Sequence, residues 1–208
     1  LALNGGVPGL SFSAAFRTWE LQKGYPMITA VFDSSSQSFK ITQTHYLSGS
    51  EERFANDTSS WYIPLSFTTS LNPDFEQIKF TDYFVNNQVE KSVSAPPLLD
   101  GTNWFIFNLQ QIGYYRVNYD TNNWNQLIRT LNSENYHQIH VLNRAQLVDD
   151  ALTFAFDGYI SYDIAFGIVS YLERETDYIP WYPATVAFDK IDFMLKGSDE
   201  HPNFQRFV

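Results

Sequence analysis

Residues 104–120, WFIFNLQQIGYYRVNYD, separate two kinds of sequence. Before this stretch, short runs of aromatic and β-branched residues are interrupted by Pro, Gly, Asn and Ser, whereas after it apolar residues recur every three or four positions. The first pattern is typical of strands joined by turns, and the second is typical of amphipathic helices. The sequence therefore predicts an all-β region followed by an all-α region.

The stretch itself predicts two strands joined by a tight connection. The apolar run at 104–107 is typical of a strand buried on both faces, and the alternation over 114–119 is typical of a strand with one buried face. Gln110, Gln111 and Gly113 are expected to form the connection. Gly113 is expected to take a positive φ, which residues with a side chain avoid.

Residues 27–118 predict an antiparallel β-sandwich. They contain about seven short apolar runs, with turn residues about every eight to twelve positions, which is the spacing of sandwich strands. Pro64 lies inside the run at 61–68 and predicts an edge strand or a bulge there. Asn86 and Asn87 predict a tight hairpin between the two runs that flank them.

Residues 119–208 predict an antiparallel, solenoid-like helical domain. Apolar residues line one side of several successive segments, as in amphipathic helices joined by short loops. Asp120 and Ser161 are expected to accept hydrogen bonds at helix N-termini. Pro180 and Pro183 are expected in the first turn of a later helix, where a missing N–H costs nothing.

Composition excludes several classes of function. The 208 residues are 44% hydrophobic, enough for a packed core, and carry a formal net charge of −10. Nucleic acid is not an expected partner, because phosphate contacts need a basic surface. The absence of cysteine excludes a disulfide framework and a thiolate metal site. Asn56 begins the sequon Asn-Asp-Thr, which predicts N-glycosylation of Asn56.

Several segments, in this order along the chain, resemble the zinc aminopeptidase family of aminopeptidase N. The run from Gly113 to Asp120, followed by Trp124, is similar to the end of that family's β-sandwich domain. The other similar segments lie at 19–26, 61–65, 144–151 and 171–181. The resemblance extends over most of the chain and suggests a member of the insect gut type.

The resemblance implies three parts of a larger enzyme. Residues 1–26 would be the end of the catalytic domain, residues 27–118 the β-sandwich domain, and residues 119–208 the start of the α-helical C-terminal domain. The parent enzyme would remove N-terminal residues from peptides, with its catalytic domain upstream. This chain would serve as a non-catalytic spacer and as part of a helical cap over that domain. The implied location is the extracellular side of the plasma membrane, through an anchor outside this chain, or secretion.

The family's zinc-binding motif is absent from these residues. That family holds zinc with the two histidines of HExxH and a glutamate from a later helix, and a GxMEN motif binds the amino group of the substrate. Neither motif occurs in the 208 residues, and both are expected upstream of residue 1. The resemblance therefore implies zinc and a peptide substrate for the parent enzyme. This chain alone is predicted to hold no zinc, to carry no catalytic residue and to be inactive.

One other group of residues has the composition of a zinc site. His137, His140 and Glu134 are the right ligand types, and their spacing of three residues would place them on one face of a helix. The favoured interpretation is a pair of surface histidines at the start of a helix.

The remaining charged candidates are expected to have structural roles, as is Gly113. Asp149 and Asp150 are poor candidates for a general acid and base, because adjacent helical residues diverge by about 100°. Arg144 and one of these aspartates are instead expected to tie the helical domain to the sandwich. Arg116 lies among apolar and aromatic residues and is expected to be a buried partner of a carboxylate, since an unpaired buried guanidinium would be costly.

Two alternatives stay open at the level of the sequence. The 13 tyrosines and 5 tryptophans suit an interface, so the chain would be a binding module or receptor surface, although aromatic cores explain the same composition. The resemblance makes a toxin or another protein a possible ligand, because insect relatives in this family are gut-surface proteins bound by bacterial pore-forming toxins. The second alternative is a complete, non-catalytic relative that kept the scaffold.

Overall fold

The computed structural model describes residues 11–46, 58–76, 78–85 and 87–207, and the chain divides into two compact units. Within the described residues, most regular elements of the first unit, Leu1–Asn123, are β-strands, and those of the second, Trp124–Val208, are helices. This organisation confirms the predicted fold class, a β-sandwich followed by an antiparallel helical domain. Asn56, the predicted glycosylation site, lies outside the described residues.

The first unit begins with a helix and continues with short strands, followed along the chain by the first residues of α2. A short 3-10 helix, Leu109–Gln111, lies between the last two strands. The elements are α1 (Phe12–Glu20), β1 (Tyr25–Asp33), β2 (Ser38–Tyr46), β3 (Ile63–Leu65), β4 (Phe67–Thr69), β5 (Asp82–Phe84), β6 (Glu90–Ser94), β7 (Phe105–Phe107) and β8 (Arg116–Tyr119).

The largest sheet has the strand order β6–β2–β1–β8. β1 and β2 form a long antiparallel hairpin, from Tyr25 opposite Tyr46 to Asp33 opposite Ser38. β8 pairs with the other side of β1 in parallel, which is possible because the connection between these two strands is long. Two smaller antiparallel pairs, β3–β5 and β4–β7, complete the sheets of the described residues. The β1–β8 pair is therefore a departure from a fully antiparallel sandwich.

Aromatic rings pack β2 against the β4–β7 pair. The ring of Phe39 lies 4.7 Å from the ring of Phe105, 5.1 Å from that of Phe67 and 5.3 Å from that of Phe107, measured between centroids. Such pairs add about 0.5–1.5 kcal/mol each beyond the burial of their area. These rings hold two sheets face to face, as the interior of a sandwich requires.

The apolar run at 61–68 forms two strands instead of the single predicted strand. It divides at Ser66 into β3 and β4, which pair with different partners. The Ser66 carbonyl accepts a hydrogen bond from Asn108 N at 2.9 Å, and its Oγ accepts one from Leu109 N at 3.0 Å. The chain passes from one sheet to another at this residue. Pro64 lies in β3, which has β5 as its partner in a two-stranded sheet, so the predicted edge position is confirmed.

The predicted hairpin at Asn86 and Asn87 is wrong. The strand before it, β5, pairs with β3, whereas the strand after it, β6, pairs with β2. Asn87 does take a positive φ of 63°, as a turn residue often does. Asn87 therefore lies in a turn, but a turn residue does not determine whether the flanking strands pair with each other.

Gly113 is needed for a reason other than the predicted positive φ. The left-handed residues of this connection are Asn108, Gln110 and Gln111. A Cβ added to Gly113 would lie 2.7 Å from Cδ1 of Tyr115 and would overlap its Cε1. The Tyr115 hydroxyl donates a hydrogen bond to the Pro64 carbonyl at 3.0 Å, which fixes the far end of the ring. Gly113 is therefore required by the close approach of this ring.

Asn108 organises the same connection with its side chain. Its Nδ2 donates to the carbonyl oxygens of Gly113 at 2.9 Å and Tyr115 at 3.3 Å, and its Oδ1 accepts from Gly113 N at 2.8 Å. Its φ of 63° lies in the left-handed region, which asparagine tolerates better than most residues. Asn108, together with Gln110 and Gln111, thus takes the conformational role that the sequence assigned to Gly113.

Hydrogen bonds join α1 and the residues after it to the segment before β3. Trp19 Nε1 donates to the Tyr62 carbonyl at 3.0 Å, and Tyr62 N donates to Thr18 Oγ1 at 3.1 Å. The Gln22 amide exchanges two hydrogen bonds with the Ser60 backbone, at 2.8 and 3.1 Å. These residues are therefore an integral part of the first unit.

The second unit consists of helices connected by short segments. Within the described residues, none of its helices, nor α1, combines the length and apolar character needed to cross a membrane. Two 3-10 helices, Tyr136–Gln138 and Ser170–Arg174, interrupt the α-helices. The α-helices, the first of which begins in unit one, are α2 (Thr121–Leu131), α3 (Val141–Phe156), α4 (Tyr162–Val169), α5 (Tyr178–Leu195) and α6 (His201–Phe207).

The helix termini follow local sequence signals with one exception. Asp120 Oδ1 accepts from Asn123 N at 2.9 Å, and Ser161 Oγ accepts from Ile164 N at 3.4 Å, so both predicted caps are confirmed. Pro180 lies in the first turn of α5, but Pro183 lies inside that helix. The prediction for Pro183 is wrong because α5 begins at Tyr178 and already includes one full turn before Pro183.

Replacement of Gly113 by alanine tests the role of this close approach. We expect Gly113→Ala to lower the free energy of unfolding by about 1–3 kcal/mol, because the added methyl group has to displace a ring that is fixed at both ends. The measurement is urea denaturation followed by tryptophan fluorescence. Gly101→Ala is the matched control, since its Cβ would make an ordinary contact at 3.6 Å with Asn122 Nδ2. Equal stability of the two variants would contradict this account.

Candidate functional site

The most strongly organised charged group in the described residues surrounds Arg144 of α3. Arg144 Nε donates to Glu175 Oε2 at 2.7 Å, and Nη2 donates to Glu175 Oε1 at 3.0 Å, so the pair is bidentate. Nη1 donates to the Ile139 carbonyl at 2.7 Å, and Nη2 also lies 3.3 Å from Asp177 Oδ2. The side chain of Arg144 is 5% exposed and that of Glu175 is 0% exposed, so water contributes little to their solvation.

The carboxylate is positioned by the backbone that follows it. Glu175 Oε1 accepts hydrogen bonds from the backbone nitrogens of Thr176 at 3.0 Å and Asp177 at 3.1 Å. Asp177 is the N-cap residue of α5, so the carboxylate lies beside the N-terminus of that helix, where a negative charge is favoured. Arg144 therefore joins α3 to the start of α5 through Glu175.

Aromatic residues enclose the ion pair. The guanidinium carbon of Arg144 lies 5.3 Å from the ring centroid of Tyr136, within the range of a cation–π interaction. The Tyr136 hydroxyl donates to the Arg174 carbonyl at 2.9 Å, which holds that ring in place. The ring of Tyr171 lies 5.9 Å from that of Tyr136 and is fully buried. The charges are thus separated from solvent by rings that are themselves fixed.

The two charged groups stabilise each other's ionised form. Burial alone would raise the pKa of Glu175, but the hydrogen bonds from Arg144 and the Asp177 amide outweigh it, and the pKa is lowered from 4.5. Burial alone would lower the pKa of Arg144, and Glu175 outweighs that effect as well. Burial raises the pKa of Tyr171, and the negative charge of Glu175 acts in the same direction. Arg144 and Glu175 are therefore expected to be ionised together near neutral pH, as in a structural ion pair.

The contacts of Arg144 differ from those expected. Its hydrogen-bond partners, at positions 139, 175 and 177, belong to the second unit, so they do not tie the helical domain to the sandwich as predicted. The physical reason is proximity along the fold. Glu175 follows the 3-10 helix at Ser170–Arg174, and α3 packs against α5, so the nearest buried carboxylate comes from the same unit.

Asp149 and Asp150 differ in environment, as adjacent residues on a helix do. Asp150 is 2% exposed, whereas Asp149 is half-buried and lies 3.5 Å from the Thr153 hydroxyl through its Oδ1. Adjacent positions on α3 place the two carboxylates in different directions, which does not suit a general acid and base acting on one bond. Their role in joining two domains stays a prediction.

Arg116 contacts aromatic residues of the large sheet. Its Nε donates to the Tyr25 hydroxyl at 3.2 Å, and its guanidinium carbon lies 5.4 Å from the ring centroid of Tyr46. The residue is half-buried, and its role as the partner of a carboxylate stays a prediction. Its position in β8, which lies at one edge of the four-stranded sheet, leaves part of the side chain exposed.

The histidine group does not have the geometry of a zinc site. Within residues 11–46, 58–76, 78–85 and 87–207, no group of three His, Cys, Asp or Glu side chains is arranged to hold a metal ion. His140 is the N-cap of α3, and its Nδ1 accepts from Leu142 N at 3.3 Å. His137 lies in the preceding 3-10 helix, and the side chain of Glu134 is 97% exposed. The described residues therefore do not fit the zinc that the resemblance implies for the parent enzyme.

Two buried polar residues were not identified from the sequence as site residues. Glu175 is separated by 31 positions from Arg144, and no local pattern indicates that pairing. Gln43 of β2 is 3% exposed and bonds the Trp61 backbone twice, through Nε2 to the carbonyl at 3.1 Å and through Oε1 to the nitrogen at 2.9 Å. A signal for Gln43 exists, because a glutamine occupies the inward face of a strand after Phe39 and Ile41.

The sequence is similar to that of a known protein family and of several aminopeptidases. The sequence model of the family described as ERAP1-like C-terminal domain matches residues 104–208. Aminopeptidase N of Plutella xylostella is 38% identical over 197 residues, which are 94% of this chain and 20% of that protein. A membrane alanyl aminopeptidase of Manduca sexta is 35% identical over 182 residues, 87% of this chain and 18% of that protein.

A vertebrate relative extends the similarity beyond insects. The thyrotropin-releasing hormone-degrading ectoenzyme of Mus musculus is 33% identical over 196 residues, 91% of this chain and 18% of that protein. The chain spans about a fifth of the length of the curated relatives it matches.

Removal of the buried negative charge tests the structural importance of the ion pair. We expect Glu175→Gln to lower the free energy of unfolding by about 3–5 kcal/mol, because Arg144 is left buried without its countercharge. Chemical denaturation monitored by circular dichroism at 222 nm measures the loss. Glu173→Gln, at an exposed glutamate in the same segment, is the control and should change stability by less than about 0.5 kcal/mol. A similar effect of both substitutions would show that the charge of Glu175 is unimportant.

The lowered pKa of Glu175 also predicts a pH dependence. Because the carboxyl has a lower pKa when folded, its contribution to stability is complete above about pH 4.5, its ordinary value, and declines as the pH falls further. We expect the free energy of unfolding of the unsubstituted 208-residue chain to fall more steeply below that pH than the free energy of unfolding of the Glu175→Gln variant. Parallel denaturation curves between pH 3 and 7 measure the difference, and superimposable pH profiles would contradict the assigned shift.

Proposed function

The chain belongs to the aminopeptidase N family and carries its ERAP1-like C-terminal domain, and from this premise we propose that it is the non-catalytic portion of a zinc aminopeptidase. In this proposal the parent enzyme removes N-terminal residues from peptides. The residues of this chain act as a spacer and as part of a helical cap over a catalytic domain that lies outside them.

The observation that carries the proposal is the similarity to aminopeptidases over nearly the whole chain, across both units. The names of these relatives describe aminopeptidases and, for the mouse protein, an ectoenzyme that degrades thyrotropin-releasing hormone. Peptides are therefore the proposed substrate class of the parent enzyme. Zinc is its proposed cofactor, held by residues outside this chain, because the described histidines and carboxylates do not provide a ligand set.

In this proposal, the residues of this chain form a rigid framework, and catalysis takes place in a domain outside them. The buried Arg144–Glu175 pair and the Phe39 ring cluster each fix elements that are distant in sequence, which is what a spacer or a cap requires. We propose residues 27–118 as the sandwich domain and 119–208 as the start of the helical domain. Residues 1–26 are proposed as the end of the catalytic domain in sequence, although Trp19 and Gln22 bond the first unit.

The proposed location is extracellular. The relatives of Manduca sexta and Mus musculus are described as a membrane enzyme and an ectoenzyme. By analogy, we place the parent on the outer side of the plasma membrane, anchored through a segment outside these residues, or secreted. Glycosylation of Asn56 is part of the same proposal, since a sequon is modified on the secretory route.

Peptidase assays of two forms of the protein test the function. We expect the full-length polypeptide, purified from its source, to hydrolyse alanine p-nitroanilide, to lose this activity with 1,10-phenanthroline and to regain it with added zinc. The 208-residue chain should show no hydrolysis above a heat-denatured sample. Activity is followed by nitroaniline absorbance, and the mass of the denatured full-length polypeptide is measured first.

Two results would overturn the proposal. Hydrolysis by the purified 208-residue chain, sensitive to chelation, would place a catalytic centre inside these residues. A native polypeptide with a mass near 24.1 kDa would leave no room for a separate zinc domain.

A further inference from the structure

The loop between β6 and β7 presents a leucine to solvent. Leu98 is 86% exposed, the largest value among the large apolar side chains of the described residues, and the neighbouring Pro97 is exposed as well. A single exposed leucine is common on protein surfaces and needs no explanation by itself. The backbone of Leu98 is uncommon, however, because its φ of 70° lies in the left-handed region that bulky side chains avoid.

A tight turn over residues 96–99 imposes this conformation. Leu99 N donates a hydrogen bond to the Pro96 carbonyl at 3.3 Å, and a proline followed by a residue with positive φ is the arrangement of a type II turn. Glycine or asparagine normally occupies the position of Leu98, since a larger side chain is strained there. Strain of this kind is concentrated at functional sites. The exposed side chain of Leu98 recovers little of its cost through burial.

Gln37 holds the turn from the side of the large sheet. Its Nε2 donates to the carbonyl oxygens of Pro96 and Leu99, both at 3.0 Å, and its own carbonyl accepts from Ala95 N at 3.0 Å. Leu99 is 3% exposed, so it anchors the end of the turn in the interior of the unit. The backbone on both sides of Leu98 is therefore fixed.

The residues after the turn are held as firmly. Asp100 Oδ1 accepts from Thr102 N at 2.8 Å and from Thr102 Oγ1 at 2.6 Å, and Asp100 N donates to Asn103 Oδ1 at 3.1 Å. Asn122, in the first turn of α2, donates through Nδ2 to the Gly101 carbonyl at 2.9 Å. An exposed side chain on such a rigid loop loses little conformational freedom when it is bound, which favours binding.

The charge beside the leucine restricts the partner. We call residues 96–100 the Leu98 tip. Asp100 is exposed, and the hydrogen bonds from Thr102 lower the pKa of its carboxyl, so this group is ionised near neutral pH. The complementary surface is an apolar pocket with a Lys or Arg at its rim. A second copy of the chain is a poor partner, because each copy carries a formal net charge of −10. A bilayer is also unfavourable, because the carboxylate resists transfer into hydrocarbon.

We propose that the Leu98 tip is a docking site for a separate protein, whose apolar pocket encloses Leu98 and whose Lys or Arg pairs with Asp100. The inference goes beyond the proposed function, because a spacer or a cap does not require a strained leucine at its surface. A pocket is needed because one projecting side chain is desolvated only when it is enclosed. Burial of a leucine side chain changes an affinity by about ten-fold to a hundred-fold.

Asparagine at position 98 separates binding from folding. Leu98→Asn removes the apolar side chain and supplies a residue that tolerates the left-handed backbone. In the full-length polypeptide, this variant should have the same melting temperature as the unsubstituted protein or a higher one, measured by circular dichroism. A lower melting temperature would show that Leu98 supports the fold, and it would overturn the proposal.

Leu71→Asn is the matched control for binding. Leu71 is 44% exposed and has the corresponding position in another turn, where Asn72 N donates to the Thr69 carbonyl at 3.2 Å. It lies in the same unit as Leu98 but outside the Leu98 tip. An effect of Leu98→Asn that Leu71→Asn does not share therefore belongs to the Leu98 tip and not to exposed leucines in general.

Photo-cross-linking identifies the partner. The full-length polypeptide with p-benzoylphenylalanine in place of Leu98 is expressed in cells of its source and irradiated, and the cross-linked peptides are sequenced by mass spectrometry. We expect cross-links to a separate protein, at residues that line an apolar pocket. Cross-links only within the same polypeptide or to a second copy would overturn the proposal, and so would the absence of any cross-link.

The affinity of the cross-linked protein provides the decisive measurement. That protein is produced by itself, and its Kd for the full-length polypeptide is measured by isothermal titration calorimetry. Leu98→Asn should raise the Kd at least about ten-fold, and Leu71→Asn less than about two-fold. Asp100→Ser, which keeps an acceptor for Thr102, should reduce the salt dependence of the association rate. An unchanged Kd for Leu98→Asn would overturn the proposal.

Phosphatidylcholine vesicles test a bilayer as the alternative partner. The full-length polypeptide and its Leu98→Asn variant are sedimented with the vesicles under the same conditions. We expect equal fractions of the two proteins in the pellet, because Leu98 binds a protein pocket and not lipid. A smaller fraction for Leu98→Asn would overturn the proposal in favour of a membrane contact.

Discussion

A buried guanidinium determines how the helical unit is arranged. Arg144 lies on α3 and Glu175 lies 31 residues later, yet their side chains meet in a bidentate pair with almost no exposure to water. Neither charge can be buried alone at a tolerable cost, so the two positions have to be brought together whenever the unit folds. This requirement fixes the path of the chain between them. α4 and the 3-10 helix at Ser170–Arg174 return the chain to α3, and α5 begins beside the carboxylate.

The sequence predicted the fold class because the periodic patterns are strong in both regions. Most strands and helices of the described residues lie where the alternation or the three-to-four spacing places them, and the caps at Asp120 and Ser161 depend on neighbouring residues only. The predictions are wrong where the structure depends on contacts between residues that are distant in sequence. β5 and β6 flank an asparagine turn but belong to different sheets, and this choice depends on the pairing of β3 with β5 and of β2 with β6. Local propensity carries no information about such pairings.

Gly113 and Arg144 illustrate the same limit at the level of single residues. The sequence identified both as structurally important, but it assigned the wrong reason to each. Gly113 is small because the Tyr115 ring approaches it, and the left-handed conformations of the connection belong to Asn108, Gln110 and Gln111. Arg144 is paired inside its own unit instead of with the sandwich. In both cases the residue type shows that something unusual is needed, whereas the partner is determined by tertiary contacts that a single sequence does not contain.

The N-terminus of α5 and its outer side differ in how their side chains are accommodated. At its N-terminus, the Glu175 carboxylate accepts hydrogen bonds from Arg144 and from the backbone nitrogens of Thr176 and Asp177. Along its outer side, Tyr182, Val186 and Phe193 expose apolar area that no neighbouring element of this unit covers in the part of the chain that the structure describes. An exposed apolar stripe of this kind is unfavourable on the surface of a complete domain, because water orders around it. Within the described residues, the charged groups at the start of α5 are therefore bonded to one another and to the backbone, whereas the apolar side chains on its outer side stay in contact with water.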